Sequence, residues 1–75
     1  MPKRDPVLRS IGQSVAKHRR AKALSQETLS EKAGLDRTYL SDVERGTRNL
    51  GVKNIVRIAK ALGITPAKLM EGVGA

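Results

Sequence analysis

Residues 36–46, "DRTYLSDVERG", contain the side chains of this chain whose types and spacing best suit hydrogen-bonding chemistry. If Leu40 and Val43 face a core, residues 37, 41 and 45 form one row on the opposite side of a helix, with 38 and 42 beside it. This face carries guanidinium, hydroxyl and carboxylate groups, on Arg37, Thr38, Ser41, Asp42 and Arg45. Short hydroxyls flanked by long guanidinium groups suit a surface that must approach its partner closely.

Catalytic chemistry has little support in the rest of the chain. There is one histidine and no cysteine, and no motif pairs two carboxylates for acid–base work. His18 lies within "KHRRAK", where a solvated or half-buried ring is expected rather than a metal ligand or a base. We therefore predict that the protein is not an enzyme, and that it uses no metal, cofactor or small-molecule substrate.

The charge balance indicates the kind of partner. Fifteen Lys and Arg residues against seven Asp and Glu give a net charge of +8. The chain has 75 residues, which is enough for one small domain. Nucleic acid is the first candidate for such a basic protein and an anionic membrane surface the second. The absence of Trp and Phe argues against a membrane-surface helix. No apolar run approaches the ~20 residues of a membrane span, and "MPKRD" lacks the apolar region of a signal peptide, so we predict a cytoplasmic protein without membrane contact.

Helical spacing of apolar residues and capping signals predict five helices and no strands. The helices cover about 6–23, 25–32, 36–45, 51–63 and 65–70. The fourth is expected to turn an apolar stripe inward, formed by Val52, Ile55, Ile58, Ala59 and Leu62. The predicted domain spans residues 5–71, and residues 1–4 and 72–75 are predicted to be flexible ends.

The turn between the second and third helices is the informative one. Across Gln26–Arg45 an apolar set spans both helices, Ser30 is small where they would cross, and Gly34 lies in the turn. A short helix, a tight turn with glycine and a second helix form the helix-turn-helix pattern, whose second helix can enter a DNA major groove. Many other helical proteins contain a similar corner, so this pattern alone leaves the function open.

The wider chain resembles a known family. "LSQETLSEKAGLDRTYLSDVERGTRN", followed by "IAKALGIT", resembles the helix-turn-helix family of lambda repressor, Cro and the XRE-type bacterial regulators, over about residues 8–70. The resemblance implies an all-α, five-helix, lambda-repressor-like DNA-binding domain. "LDRTYLSDVERGTRNL" is further similar to the controller proteins of restriction–modification systems. Ala23, where the family usually has glycine, and His18, where it usually has an apolar residue, depart from the pattern and bear on local packing.

The resemblance also implies roles for the polar face of the third helix. Arg37 can pair with guanine O6 and N7, and Thr38 can contact a thymine methyl group, unless these side chains are merely solvated or packed. Ser41 is a similar candidate, and Arg45 can take a base or a phosphate. Asp42 either accepts a hydrogen bond from cytosine N4, or it braces Arg45 or Arg37 and repels wrong sequences. We therefore predict base contacts from all five.

Other positions match the family's DNA-backbone contacts and its packing. Phosphate contacts are predicted for Gln26, Tyr39, Arg48, Asn49 and Lys53. The Tyr39 ring is alternatively part of the core. Asp36 is explained as a helix cap, and the resemblance implies an ion pair between Glu44 and Arg19.

Apolar side chains late in the chain are predicted to form a dimer interface or, alternatively, ordinary core. They are Val56, Ile64, Leu69 and Met70. A homodimer would set two recognition helices about 34–36 Å apart on a palindromic operator. We therefore predict a dimeric, sequence-specific regulator of transcription that binds double-stranded DNA, either a repressor or an activator. The alternative is an antitoxin that binds a toxin and represses its own operon.

Overall fold

The computed structural model describes residues 5–74, which contain five helices and no strand. The helices are α1 (Pro6–Ala21), α2 (Gln26–Ala33), α3 (Arg37–Arg45), α4 (Val52–Leu62) and α5 (Pro66–Leu69). The predicted all-α architecture with a helix-turn-helix in α2 and α3 is confirmed. Residues 1–4 and 75, which belong to the predicted flexible ends, lie outside the described residues.

Short polar side chains begin four of the helices by accepting from free backbone N–H groups. Asp5 caps α1, Ser25 caps α2, Asp36 caps α3 and Thr65 caps α5. Glycines in the left-handed conformation end α2, α3 and α4. These local signals are strong enough to define most helix ends without tertiary contacts.

The end of α1 differs from the prediction. The helix was expected to reach about Ala23, but it ends at Ala21, and the backbone N–H of Lys22 bonds back to the carbonyl groups of the last turn. Ala23 then adopts a φ of +56°, the one positive φ at a non-glycine position among residues 5–74. This is the position at which the resembled family usually has glycine, so Ala23 holds a conformation that a Cβ atom disfavours.

The core lies where α1, α2 and α3 meet α4 and α5. Its fully buried side chains come from all five helices: Val15, Leu29, Leu40, Val43, Ile58, Leu62 and Leu69. The third helix packs mainly on α1 and also on α2, while α2 packs on α4. The predicted recognition helix, α3, is therefore supported by two helices, α1 and α2.

The burial of three apolar side chains was not fully predicted. Val52, predicted to face inward, is 76% exposed because it begins α4, one turn before that helix reaches the core. Leu69, predicted at a dimer interface or alternatively in the core, is 0% exposed, since the single turn of α5 points it between α1 and α4. Leu50, which belongs to none of the predicted sets, is also buried in the core.

The chain beyond α5 continues in turns. The backbone N–H of Val73 bonds to the carbonyl of Met70, and the half-buried Val73 side chain packs against the core. Val73 therefore contacts the domain, and the boundary at residue 71 stays a prediction.

Candidate nucleic-acid interface

A glycine allows α3 to lie directly on α1. A Cβ atom at Gly12 would meet the carbonyl oxygens of Val43 and Glu44, the latter at 2.6 Å. The two backbones are therefore closer than any side chain would permit. The signal for this contact was a lone glycine inside a helical pattern, which often marks a close approach, but it was not used in predicting the site.

An ion pair fixes the rotation of α3 relative to α1. Arg19 donates from Nε to Glu44 Oε2 at 2.7 Å and from Nη2 to Oε1 at 3.0 Å, and the two side chains are 13% and 6% exposed. Arg19 also donates to the carbonyl of Leu24. The hydrogen bonds that Arg19 donates to the Glu44 carboxylate raise the pKa of Arg19 above its already high ordinary value. The pair implied by the resemblance is thus present, charged and mostly buried.

Gln26 joins the same cluster from the start of α2. Its Nε2 donates to Glu44 Oε1 at 3.1 Å, so α1, α2 and α3 share one carboxylate. The side chain is half-buried, and its amide oxygen is not used in that bond. Gln26 is therefore held at the N-terminal end of α2, where the helix dipole favours an anion.

The outer face of α3 has the arrangement expected from the spacing. Leu40 and Val43 are 0% and 1% exposed, whereas Arg37, Thr38 and Arg45 are exposed on the opposite side of the helix. Ser41 and Asp42 are half-buried beside them. The helix thus presents a polar ridge on a rigid support, and the geometry leaves the individual base contacts as predictions.

Asp42 lies between two arginines. Its Oδ1 accepts from Arg45 Nη2 at 2.5 Å, and its Oδ2 is 4.0 Å from Arg48 Nη2. Both carboxylate oxygens therefore face guanidinium groups. Of the two interpretations of Asp42, this geometry favours bracing over a free acceptor for cytosine.

The ring of Tyr39 takes the core position that the sequence left open, and the phosphate contact of its hydroxyl group stays a prediction. Its half-buried ring packs against the core, while its hydroxyl oxygen accepts from Asn54 Nδ2 at 2.9 Å. The guanidinium of Arg48 lies 5.1 Å from the ring centroid, within the range of a cation–π contact. Asn54 was not among the predicted residues, because nothing in the local spacing links residue 54 to residue 39.

Two further predicted backbone-contact residues, Asn49 and Lys53, are exposed around the start of α4. Together with Arg48 and Arg45 they give this edge of the domain three positive charges, offset by the carboxylate of Asp42. The edge is continuous with the outer face of α3. A phosphate backbone lying along it would meet cations and amides.

The residues predicted to form a dimer interface do not share one environment. Val56 is 44% exposed and follows the exposed Val52 by one turn of α4. Ile64 and Met70 are half-buried and pack against the core, and Leu69 is interior. An apolar strip on α4 is therefore available to a partner, with Leu69 excluded from it.

Other kinds of site have few candidates in residues 5–74. No group of three or more His, Asp or Glu side chains there could hold a metal ion. No described helix is both long and apolar enough to cross a membrane. The half-buried His18 lines a shallow groove between α1 and α5 with Lys17 and Lys68.

Comparison with known proteins places this geometry in a family. A model described as "Helix-turn-helix" matches residues 15–69. The control protein C.BamHI of Bacillus amyloliquefaciens is 49% identical over 62 residues, which cover 81% of this chain and 76% of that protein. The crystal structure of the restriction–modification controller protein C.AhdI from Aeromonas hydrophila has a TM-score of 0.81 and 50% identity, over 83% of this chain and 94% of that one.

A third match was solved with DNA. The controller protein C.Esp1396I, a tetramer in complex with its natural 35 base-pair operator, has a TM-score of 0.84 and 35% identity, over 92% of this chain and 91% of that one. Both the sequence and the arrangement of helices therefore agree with these proteins over most of the chain. This chain belongs to the XRE-type helix-turn-helix family and is similar, within it, to restriction–modification controller proteins.

Proposed function

We propose that the protein is a transcriptional regulator that binds double-stranded DNA sequence-specifically, as a homodimer on a palindromic operator, with α3 in the major groove. The observation that carries the proposal is the exposed polar ridge of α3 on a helix fixed to α1 and α2. A more specific function, control of restriction and modification genes, is supported by the similarity of this chain to controller proteins. A regulator of this kind acts where bacterial DNA is, in the cytoplasm.

The proposed base contacts come from the exposed side of α3. Arg37, in its first turn, pairs with a guanine through its planar fork. Thr38 and Ser41 lie beside it and contact a thymine methyl group or a base edge. Arg45 extends the row to the C-terminal end of the helix, where bases and phosphates are both within reach of a long side chain.

The proposed backbone contacts flank that row. Gln26 binds a phosphate at the start of α2, supported by its position at the positive end of the helix dipole. Arg48, Asn49 and Lys53 bind further phosphates from the loop before α4 and its first turn. Tyr39 supports them, because its ring lies against the guanidinium of Arg48 and its hydroxyl group is held by Asn54 at α4. Such contacts position the protein without reading sequence.

The proposed dimer follows from size and from α4. The described part of one copy measures 32 × 25 × 22 Å and contains one recognition helix, so two half-sites about 34–36 Å apart require two copies. Val52 and Val56 form an exposed apolar strip on α4. The half-buried Ile64 and Met70 are further candidates for the interface.

Sequence preference is tested first with the wild-type protein. Duplexes are selected from a random library, and the affinity for the enriched duplex is compared by fluorescence anisotropy with that for a scrambled duplex of equal composition. A specific regulator enriches one palindromic sequence. In a plot of log affinity against log salt concentration, the slope becomes more negative by about 0.9 for each phosphate that the protein neutralises. Failure to enrich any sequence would end the proposal.

Two arginine variants then separate reading from positioning. Arg37→Ala is expected to lose about 5- to 150-fold of affinity for the enriched duplex, as one lost bidentate contact implies, with little change for the scrambled one. Arg48→Ala is expected to weaken binding to both duplexes equally and to make the salt slope less steep by about 0.9. If the two variants exchange these effects, the assignments of base and phosphate contacts are wrong.

The dimer is tested with a matched pair of valines. Val56→Glu places a charge on the α4 strip and is expected to shift sedimentation equilibrium towards monomer. Val7→Glu changes a similarly exposed valine on α1 and should leave the association unchanged. Equal behaviour of the two variants would contradict an interface on α4.

The controller assignment is tested on the DNA around the gene. Enriched sites in the promoters of a neighbouring methyltransferase and nuclease would support it. Enrichment beside a toxin gene, together with a toxin complex, would support the antitoxin alternative, which no contact or relative described above favours.

A further inference from the structure

The carboxylate of Asp42 lies on the face of the molecule that we propose to meet a polyanion. Its side chain is 24% exposed, and the arginines that it faces, Arg45 and Arg48, are 66% and 51% exposed. A negative charge there opposes every phosphate that approaches. Its presence on a ridge otherwise rich in cations requires a physical reason.

The stability of the fold does not supply that reason. Asp42 belongs to the last turn of α3, where the helix dipole disfavours a negative charge. Exposed ion pairs contribute at most about 1 kcal/mol. The carbonyl group of Asp42 accepts from Thr47, but any residue would provide that carbonyl. The side chain is therefore not needed to form or to end the helix.

Reading a cytosine is also disfavoured by the geometry. To accept from a base, Asp42 would have to give up Arg45 at Oδ1 or turn Oδ2 away from Arg48. Either exchange leaves a guanidinium group without its carboxylate. If Asp42 keeps both arginines, each guanidinium group still has other donors with which to bind DNA.

We propose that Asp42 is a specificity-determining residue that acts through Arg45 and Arg48 and repels the phosphate groups of DNA. This inference rests on the proposed DNA-binding function. The carboxylate reduces the attraction of the two arginines for any DNA backbone, which weakens binding to arbitrary sequences. In the complex with the enriched duplex it also holds the arginines in the positions that their contacts require, so the repulsion is offset there.

Asp42→Asn tests the proposal because it keeps the shape and removes the charge. Loss of one charge at the backbone corresponds to about one further phosphate neutralised, or roughly eightfold at 0.1 M salt relative to 1 M. We expect the affinity for the scrambled duplex to rise by about that factor, with a salt slope steeper by about 0.9. Affinity for the enriched duplex should change less than about threefold, because freer arginines offset the gained attraction.

Two further variants are controls. Asp42→Glu retains the charge and should restore weak binding to the scrambled duplex. Glu71→Gln removes a carboxylate that also pairs at i,i+3 spacing, with Lys68 at 3.4 Å, in the turn that follows α5. It should leave both affinities unchanged. Cooperative thermal melting within about 8 °C of wild type would show that all three variants fold, because an exposed pair contributes at most about 1 kcal/mol.

The alternative outcomes are distinct. A loss of affinity for the enriched duplex alone would show that Asp42 reads a base and would overturn the proposal. An equal gain for both duplexes would show simple repulsion without an effect on specificity, and no change would show an inert surface pair; either would also overturn it. Failure of the wild-type protein to enrich any duplex would instead reject the proposed function itself.

Discussion

Replacing Gly12 by alanine tests how closely α1 approaches α3. The added Cβ atom would lie 2.6 Å from the carbonyl oxygen of Glu44 and closer still to that of Val43. Both obstacles are backbone atoms, so no change of side-chain rotamer can relieve them. The helices must separate, and the ion pair between Arg19 and Glu44 must stretch or rotate with them.

The magnitude follows from two opposed effects. Overpacking a tight core typically costs about 1–3 kcal/mol, and the upper end applies here because the neighbours are backbone. Alanine is favoured over glycine inside a helix by about 1 kcal/mol, which offsets part of that loss. The net loss in the free energy of unfolding is about 2 kcal/mol, or roughly 8–16 °C in Tm for a domain of this size.

Urea denaturation followed by circular dichroism measures this loss directly. Gly51→Ala is the matched control, since a Cβ atom there meets nothing within 4 Å. It should lose no more than the preference for glycine at a helix start, about 1 kcal/mol. If Gly12→Ala is at least as stable as wild type in urea, α1 and α3 are not in backbone contact, and the recognition helix lacks this rigid support.

The remaining predictions concern stability. Ala23→Gly should stabilise the protein by about 0.5–1 kcal/mol, because it relieves a left-handed alanine at some entropic cost; a lower Tm would contradict the strain. Glu44→Gln should lose about 3 kcal/mol in urea denaturation, since it leaves Arg19 charged and mostly buried, and a loss as small as that of an exposed pair would contradict this. The raised pKa of Arg19 means that the pair's contribution is complete below the ordinary arginine pKa and is lost only above it, so it should be constant from about pH 6 to 9. Leu69→Ala should lose about 2–5 kcal/mol in unfolding. Dimer dissociation by Leu69→Ala without such a loss would restore its place at the interface.

Local chemistry made the fold predictable. Caps such as Asp5 and Asp36, and glycines such as Gly34, act within one turn of the chain, so the helices could be placed to within about two residues. The fourth helix shows the limit of this reasoning. Val52 fits the apolar period yet is 76% exposed, because periodicity defines a face but not how far along that face the core extends.

The candidate site was predictable only in part. Spacing along α3 was sufficient to put Arg37 and Arg45 on the side opposite Leu40, since all lie on one rigid helix. The stacking of Arg48 on Tyr39 and the hydrogen bond from Asn54 were not foreseen. Those contacts join different elements and depend on how the helices pack.

The amino-acid sequence by itself determined the helices, the polar face of α3 and the family, because each depends on residues close together in the chain or on a continuous motif. Only the tertiary structure decided which apolar side chains remain exposed and which partner each charge takes. Leu69 is interior and Asp42 faces two arginines because burial and ion pairing depend on distances across the fold, which spacing along one helix does not contain.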